Sequence, residues 1–384
     1  MQSFNLNLRC FKKNTNNSKI KKNLNSLIQE KNEILSSLSK KYQDSFNKKL
    51  LLKFKKYTNI RIFGMGGSSL GTQAIHDFLN NSIKKKISFF DNLQPKDKKK
   101  NNKKSLNLIV SKSGNTIETI VNSNIFIKKK DHNIFITENK KNYLNLLAQK
   151  LKSEVVHHNN FIGGRYSVLS EVGMLPAELM GLKSYNFRQL DSLIKNKKYL
   201  DSLIRNVSAT LYYIKNRRFN SIILNYDENS NNLFNWYQQL IAESLGKKNK
   251  GLLPVVSTMP KDNHSVMQFY LDGVKNNFFT FFYVKNKKSK KINNNLILPS
   301  QYYLKNKNIN NIILSQKIAT ERVFKKKNIP FRSFEVFKRD EKTLGELFTF
   351  FILETILLGK SLNLNPYDQP AVELIKKETK KILI

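Results

Sequence analysis

One cysteine, Cys10, in 384 residues excludes an internal disulfide framework and cysteine-based zinc sites. It points to a reducing, cytoplasmic setting. Long apolar runs are missing as well. The best candidate, "LFTFFILETILLG" (347–359), has only 13 residues and contains Glu354. That length predicts a buried core helix, not a membrane span. The opening "MQSFNLNLRCFKKNTNN" has no apolar h-region, so no secretory signal is expected. Acid is scarce: 28 Asp and Glu face 68 Lys and Arg, a formal net charge of +40.

Such an excess ordinarily points to nucleic acid. Here the lysines fall in scattered runs at 84–86, 97–100, 128–130, 286–291 and 325–327, mixed with Asn. No aromatic residues are interleaved as stacking platforms. Lys, Asn, Ile and Phe share A/T-rich codons, and compositional drift enriches them together. The runs are therefore expected on a solvated surface, with no specific nucleic-acid partner. Their field would still steer an anionic substrate inward.

What is present is an alternation of strands and helices. The 40% apolar content supports real cores, and the length suggests two domains or three. Residues 1–55 read as helical, with Leu24, Leu27, Ile28, Ile34, Leu35 and Leu38 at helical spacing. Then "IRIFG" (60–64), "ISFFD" (87–91), "LNLIV" (106–110), "NIFIT" (133–137) and "EVVHH" (154–158) read as strands. Helices are expected between several of them, near 68–82, 115–129 and 139–151. A second series uses "NSIILNY", "LLPVVS", "NFFTFFYV" and "IPFRSFEV", with helices near 231–246, 264–273, 309–326 and 342–361. This is the pattern of βαβ units in two tandem parallel-sheet α/β layers. A last helix is expected to start near "NPYDQP", capped by Asp368.

Six stretches could carry chemistry. "FGMGGSSLG" (63–71) follows a strand and opens a helix. It reads as a dinucleotide fingerprint with Asp91 at the ribose, as a small-ligand loop using Gly67 and Ser68, or as an ordinary glycine-rich turn. The dinucleotide motif's third glycine is replaced by Ser69. "SKSGNTIET" (111–119) offers hydroxyls and backbone N–H groups at a strand-to-helix turn, which suits phosphate. Its local alternative is a helix start capped by Ser113 or Asn115, with Glu118 in the first turn. "IGGRYSVLSEVG" (162–173) places Arg165 after Gly163 and Gly164, a fixed positive charge for an oxygen that turns negative. In "NWYQQLIAESLGK" (235–247), Gln239 and Glu243 share a helix face. Glu243 sits near the helix's carboxyl end, where the dipole disfavours it. "DNHSVMQFYLDG" (262–273) holds His264, whereas His76, His132, His157 and His158 read as structural. "NPYDQPAVELIKK" (365–377) sets Gln369 and Lys376 two turns apart on one face.

Together these stretches resemble the glucose-6-phosphate isomerase (phosphoglucose isomerase) family in a short, bacterial-type form. The resemblance runs over roughly residues 58 to 380 with the motifs in the family's order. "GGRYSVLSEVG", "AESLGK" and "DQPAVELIK" are its specific blocks, while "GMGGSSLG" and "SKSGNT" recur in sugar-isomerase domains generally. The resemblance implies two sugar-isomerase α/β/α sandwich domains with parallel sheets, at 56–182 and 183–345. It adds an N-terminal helical segment (1–55) and C-terminal helices (346–384). It implies interconversion of glucose 6-phosphate and fructose 6-phosphate without cofactor or metal. Glu243, His264 and Lys376 would be catalytic, with Arg165 beside the reacting carbons. Gly67, Ser68, Gly164, Gln239 and Gln369 would meet the sugar. Ser111, Lys112, Ser113, Gly114, Asn115, Thr116 and Glu118 would surround the phosphate. Asn115 departs from the hydroxyl residue usual in that loop. The family's homodimer would supply His264 from the neighbouring subunit. A sugar-phosphate-sensing regulator would have no use for Glu243, His264 and Lys376. A dual glucose/mannose 6-phosphate isomerase would keep all three.

Overall fold

A computed structural model describes residues 5–13, 17–93, 104–128, 131–285 and 289–384. Parts of three lysine-rich runs, at 97–100, 129–130 and 286–288, lie outside them. Lys84, Lys86, Lys128 and Lys325 to Lys327 are exposed. Among the described residues, no helix is long and apolar enough to cross a membrane.

Ten strands form two sheets of five. They are β1 (Leu6–Arg9), β2 (Asn59–Phe63), β3 (Lys86–Phe90), β4 (Leu106–Val110), β5 (His132–Thr137), β6 (Glu154–His157), β7 (Asn220–Asn225), β8 (Leu253–Thr258), β9 (Asn277–Val284) and β10 (Phe331–Val336). The first sheet has the order β3-β2-β4-β5-β6 and is wholly parallel. The second has the order β1-β10-β9-β7-β8. All residues of β4 and β9 are buried. Apart from Asn107, Asn277 and Thr280 they are apolar, because parallel sheets are covered on both faces.

The one antiparallel strand corrects the helical reading of the N-terminal segment. β1 lines up on the edge of β10, with Leu6 opposite Val336 and Arg9 opposite Ser333. Leu6 and Leu8 point into the core and Arg9 outward, a period of two too short to stand out beside the helical spacing that follows. Helix Ser18–Gln29 then buries Ile20, Leu24 and Leu27. Helices Glu171–Met180 and Lys197–Lys215, with the short Ser184–Phe187 and Leu190–Leu193 between them, were not expected from the sequence.

Helix Glu341–Ser361 runs through the centre, buried from Thr343 to Gly359. It contains the 13-residue apolar run and explains its single acid. Glu354 receives bonds from both terminal nitrogens of the buried Arg332, the Nη2 one at 3.1 Å. Tyr237 Oη lies 3.4 Å from the same carboxylate. Burial and that carboxylate together push the Tyr237 phenol above its ordinary range. Glu354→Leu leaves the Arg332 charge buried alone and is expected to cost about 3–5 kcal/mol. Denaturant melts check this, and adding Arg332→Met should recover most of the loss.

Candidate active site

In the first sheet the chain goes from β2 to β3 on one side and then to β4 on the other. The loops leaving β2 and β4 therefore diverge and open a crevice at the carboxyl ends of the strands. The glycine loop leaves β2 and the hydroxyl loop leaves β4. They are neighbours: a Cβ added to Gly64 would lie 3.1 Å from the Val110 carbonyl oxygen.

In the hydroxyl loop, Ser111 Oγ and Thr116 Oγ1 are 2.8 Å apart. Thr116, not Ser113 or Asn115, is the N-cap of helix Ile117–Phe126, and no side-chain capping bond forms. Gly114 causes the difference. Its φ of +68° folds the loop onto Asn142, where a Cβ would come within 2.1 Å of the Asn142 Cγ. The side chains then find other partners. Ser113 Oγ accepts from the Asn115 N–H at 3.3 Å, and Asn115 Oδ1 from the Tyr143 N–H at 3.1 Å. Glu118 lies in the first turn as expected. Lys112 Nζ donates to the Asn160 carbonyl at 2.6 Å, 3.5 Å from Glu138. Burial lowers its pKa against the opposing pull of that carboxylate.

A phosphate seated here would take bonds from Ser111 and Thr116. Ser111→Ala with Thr116→Ala is therefore expected to raise KM for the sugar phosphate about 10–100-fold, at about 1.5–3 kcal/mol for hydrogen bonds to a charged group. An unchanged KM in steady-state assays would remove the loop from the site.

The second half is built around Arg165, which is only 1% exposed. A Cβ on Gly67 would come 2.2 Å from the Gly164 carbonyl carbon, so only glycine lets the two loops touch. Trp236 Nε1 donates to the Arg165 carbonyl at 3.1 Å, fixing the backbone. The guanidinium donates through Nε to Ser244 Oγ at 2.7 Å and through Nη1 to Glu243 Oε2 at 3.3 Å. Nη1 also donates to Gln369 Oε1. Nη2 donates to the carbonyls of Pro366 (2.8 Å) and Asp368 (3.0 Å). Glu243 Oε1 accepts from Gln239 Nε2 at 2.9 Å, within one face of helix Asn231–Leu245. A Cβ on Gly66 would lie 2.8 Å from that Nε2, so the glycine loop reaches this group too. Gln239 Oε1 is buried and has no partner among the described residues.

Gln239, Glu243, Arg165 and Gln369 thus converge with Gly67 and Gly164. Ser244 and Tyr166 went unread. Each neighbours a residue already singled out, and Tyr166 Oη bonds both Ser244 Oγ (2.9 Å) and the Pro366 carbonyl (3.0 Å). Asp368 does not cap the last helix, whose N-cap is Ala371. It takes the Lys247 ammonium instead, which holds its carboxyl below the ordinary range.

No hydrogen bond or ion pair joins His264 or Lys376 to this cluster among the described residues. His264 is exposed on a short 3-10 turn, Lys261–His264. The helix expected near 264–273 starts only at Met267, because Asp262 binds the Thr258 N–H (2.8 Å) and the Ser265 hydroxyl (3.1 Å). Lys376 lies on helix Val372–Leu383, which buries none of its residues, and pairs with Glu373 at 2.7 Å. The other histidines have local partners. His76 pairs with Asp77 (2.7 Å), His132 stacks near Tyr57 (5.2 Å), and His157 Nδ1 accepts from Asn139 (3.1 Å). Burial lowers the pKa of His158.

Two α/β layers with a glycine loop, a hydroxyl loop and a buried arginine paired with a half-buried glutamate make a sugar-isomerase type of fold. It superimposes on a hypothetical protein from Thermus thermophilus with a TM-score of 0.82 (22% identity, 96% of this chain and 94% of the other). A glucose-6-phosphate isomerase from Chlamydia trachomatis gives 0.70 (18% identity, 91% and 77%). The family model for phosphoglucose isomerase matches residues 9–384, and the chain belongs to that family. It is 32% identical to the glucose-6-phosphate isomerase of Methanocaldococcus jannaschii, over 84% of this chain and 83% of the relative. With the Campylobacter jejuni enzyme of the same name, identity is 31% over 85% of each.

Proposed function

We infer that this chain interconverts glucose 6-phosphate and fructose 6-phosphate, the aldose–ketose isomerisation of its family, in glycolysis and gluconeogenesis. The observation that carries the mechanism is the placement of Glu243 against Arg165 and Gln239 beside the glycine loop. The Ser111–Thr116 loop takes the phosphate and leaves the sugar across Gly67 and Gly164. The unpartnered Gln239 Oε1 accepts a sugar hydroxyl. Glu243 removes the C2 proton and returns it to C1 on the same face. The cis-enediol that forms between carries charge on oxygen. Arg165, already rigid through its other bonds, stabilises that charge without giving up a proton.

Ring opening needs one proton delivered to the ring oxygen and one taken from the C1 hydroxyl. His264 and Lys376 are assigned that exchange, and both must come to the site from elsewhere. Lys376 is carried by the exposed last helix. His264 comes from a second copy of the chain, in a homodimer. The exposure of His264, with Phe269 (49%) and Val274 (65%) bare on the same stretch, suits a contact between subunits. A single cysteine, half-buried, suits a reducing cytoplasm. Coupled assays on glucose 6-, fructose 6- and mannose 6-phosphate test the reading. Turnover of the first two supports it, and turnover of neither overturns it.

A further inference from the structure

We propose that the opposite edge of the second sheet holds an anion site for a phosphate chain, separate from the catalytic crevice. A groove of about 1260 Å³ lies there. Lys275 and the 328–331 loop enter it at the amino ends of β9 and β10, and Arg218 lies just before β7. The lining of this groove shares no residue with the cluster around Arg165 and Glu243 or with the hydroxyl loop.

The groove's charge is not balanced. Its acids are Glu321 and Glu335. Both are already met by Arg9, at 2.6 and 3.3 Å, and by the fully buried Lys317, which lies 2.9 Å from Glu321 and pairs with Glu335 as well. Two cations thus answer two carboxylates. That leaves Lys12, Lys13, Arg218, Lys275, Arg322 and Lys325 on the lining. Arg218 gives one bond to the Asn277 carbonyl, and Lys13 rests over the Tyr212 ring at 4.4 Å. Lys12, Lys275, Arg322 and Lys325 have no acidic partner among the described residues. Lys325 stands in the last turn of helix Ile309–Lys326, where the dipole favours a cation. Lys12 and Lys275 stand on no helix, so that explanation does not reach them.

Several free cations around one concave volume favour several linked negative charges over one. The volume, above the roughly 300–1,000 Å³ of small-molecule sites, takes a triphosphate with or without a nucleoside. Here the charge and the concavity coincide.

The test is titration calorimetry on the full chain at physiological salt, with inorganic tripolyphosphate and with ATP. Binding of either that persists in saturating fructose 6-phosphate is expected. Lys275→Glu with Arg322→Glu should weaken it about tenfold or more, since each substitution removes a charge-assisted hydrogen bond to the phosphate chain. Isomerase kcat/KM should stay unchanged, which also shows that the variant folds. Equal affinity for the two ligands supports recognition of the phosphate chain alone. Tighter ATP supports a nucleoside end as well. Unaltered binding in the double variant, or displacement by fructose 6-phosphate, overturns the site. A single-stranded RNA oligomer that binds tighter than both, and is weakened by the same substitutions, would make the groove a nucleic-acid surface instead.

Discussion

Glu243→Gln is expected to lower kcat by about 10²–10⁴-fold or more, the range for a positioned general base. The substitution keeps the side chain's shape, so Arg165, Gln239 and Ser244 hold their places. Substrate analogues should bind nearly as well as before. The decisive readout is exchange of the C2 hydrogen of substrate with solvent, followed by NMR. It should vanish together with turnover. Persistent exchange would put the base on another residue and leave Glu243 as a mere anchor for Arg165.

A larger relative change is expected from mixing two dead proteins. Glu243→Gln and His264→Ala each leave every site of their own homodimer defective. If His264 serves the neighbouring subunit, a mixed dimer has one site with both defects and one with neither. Dissociating and reassociating equal amounts should restore roughly a quarter of wild-type activity, since half the dimers are mixed and each has one good site in two. Mixed dimers that demonstrably form and stay inactive would place both residues in the same subunit's site.

Much of the molecule was legible before any coordinates. The strands from "IRIFG" onward were readable because parallel strands are nearly continuous apolar runs between turns. β1 was not, since four residues on a sheet edge carry only two buried side chains. Helix Lys197–Lys215 was missed although Leu203, Ile204 and Val207 have the right spacing, because polar and tyrosine positions interrupt its stripe. Arg165, Gln239, Glu243 and Gln369 could be picked out one by one. Their convergence could not, as it depends on Gly67 lying against Gly164. The expected cap failed for a related reason. Asp368 has the composition of a helix start, but the Lys247 ammonium from another part of the chain claimed its carboxylate first. The charge was read as runs along the sequence, whereas the groove draws its cations from four distant segments: Lys12 and Lys13, Arg218, Lys275, and Arg322 with Lys325.

The pairing of Leu6–Arg9 with Phe331–Val336 also sets an order of events during synthesis. The first-made strand must wait for its partner until some 325 further residues have left the ribosome. At 5–20 residues per second that is about 16–65 s. Until β10 emerges, Leu6 and Leu8 have no sheet to enter. Arg165 is locked later in the order still, because the carbonyls of Pro366 and Asp368 that hold its guanidinium follow β10 in the chain. The first sheet can close early on the ribosome, whereas the catalytic cluster is assembled only after the last strand of the second sheet.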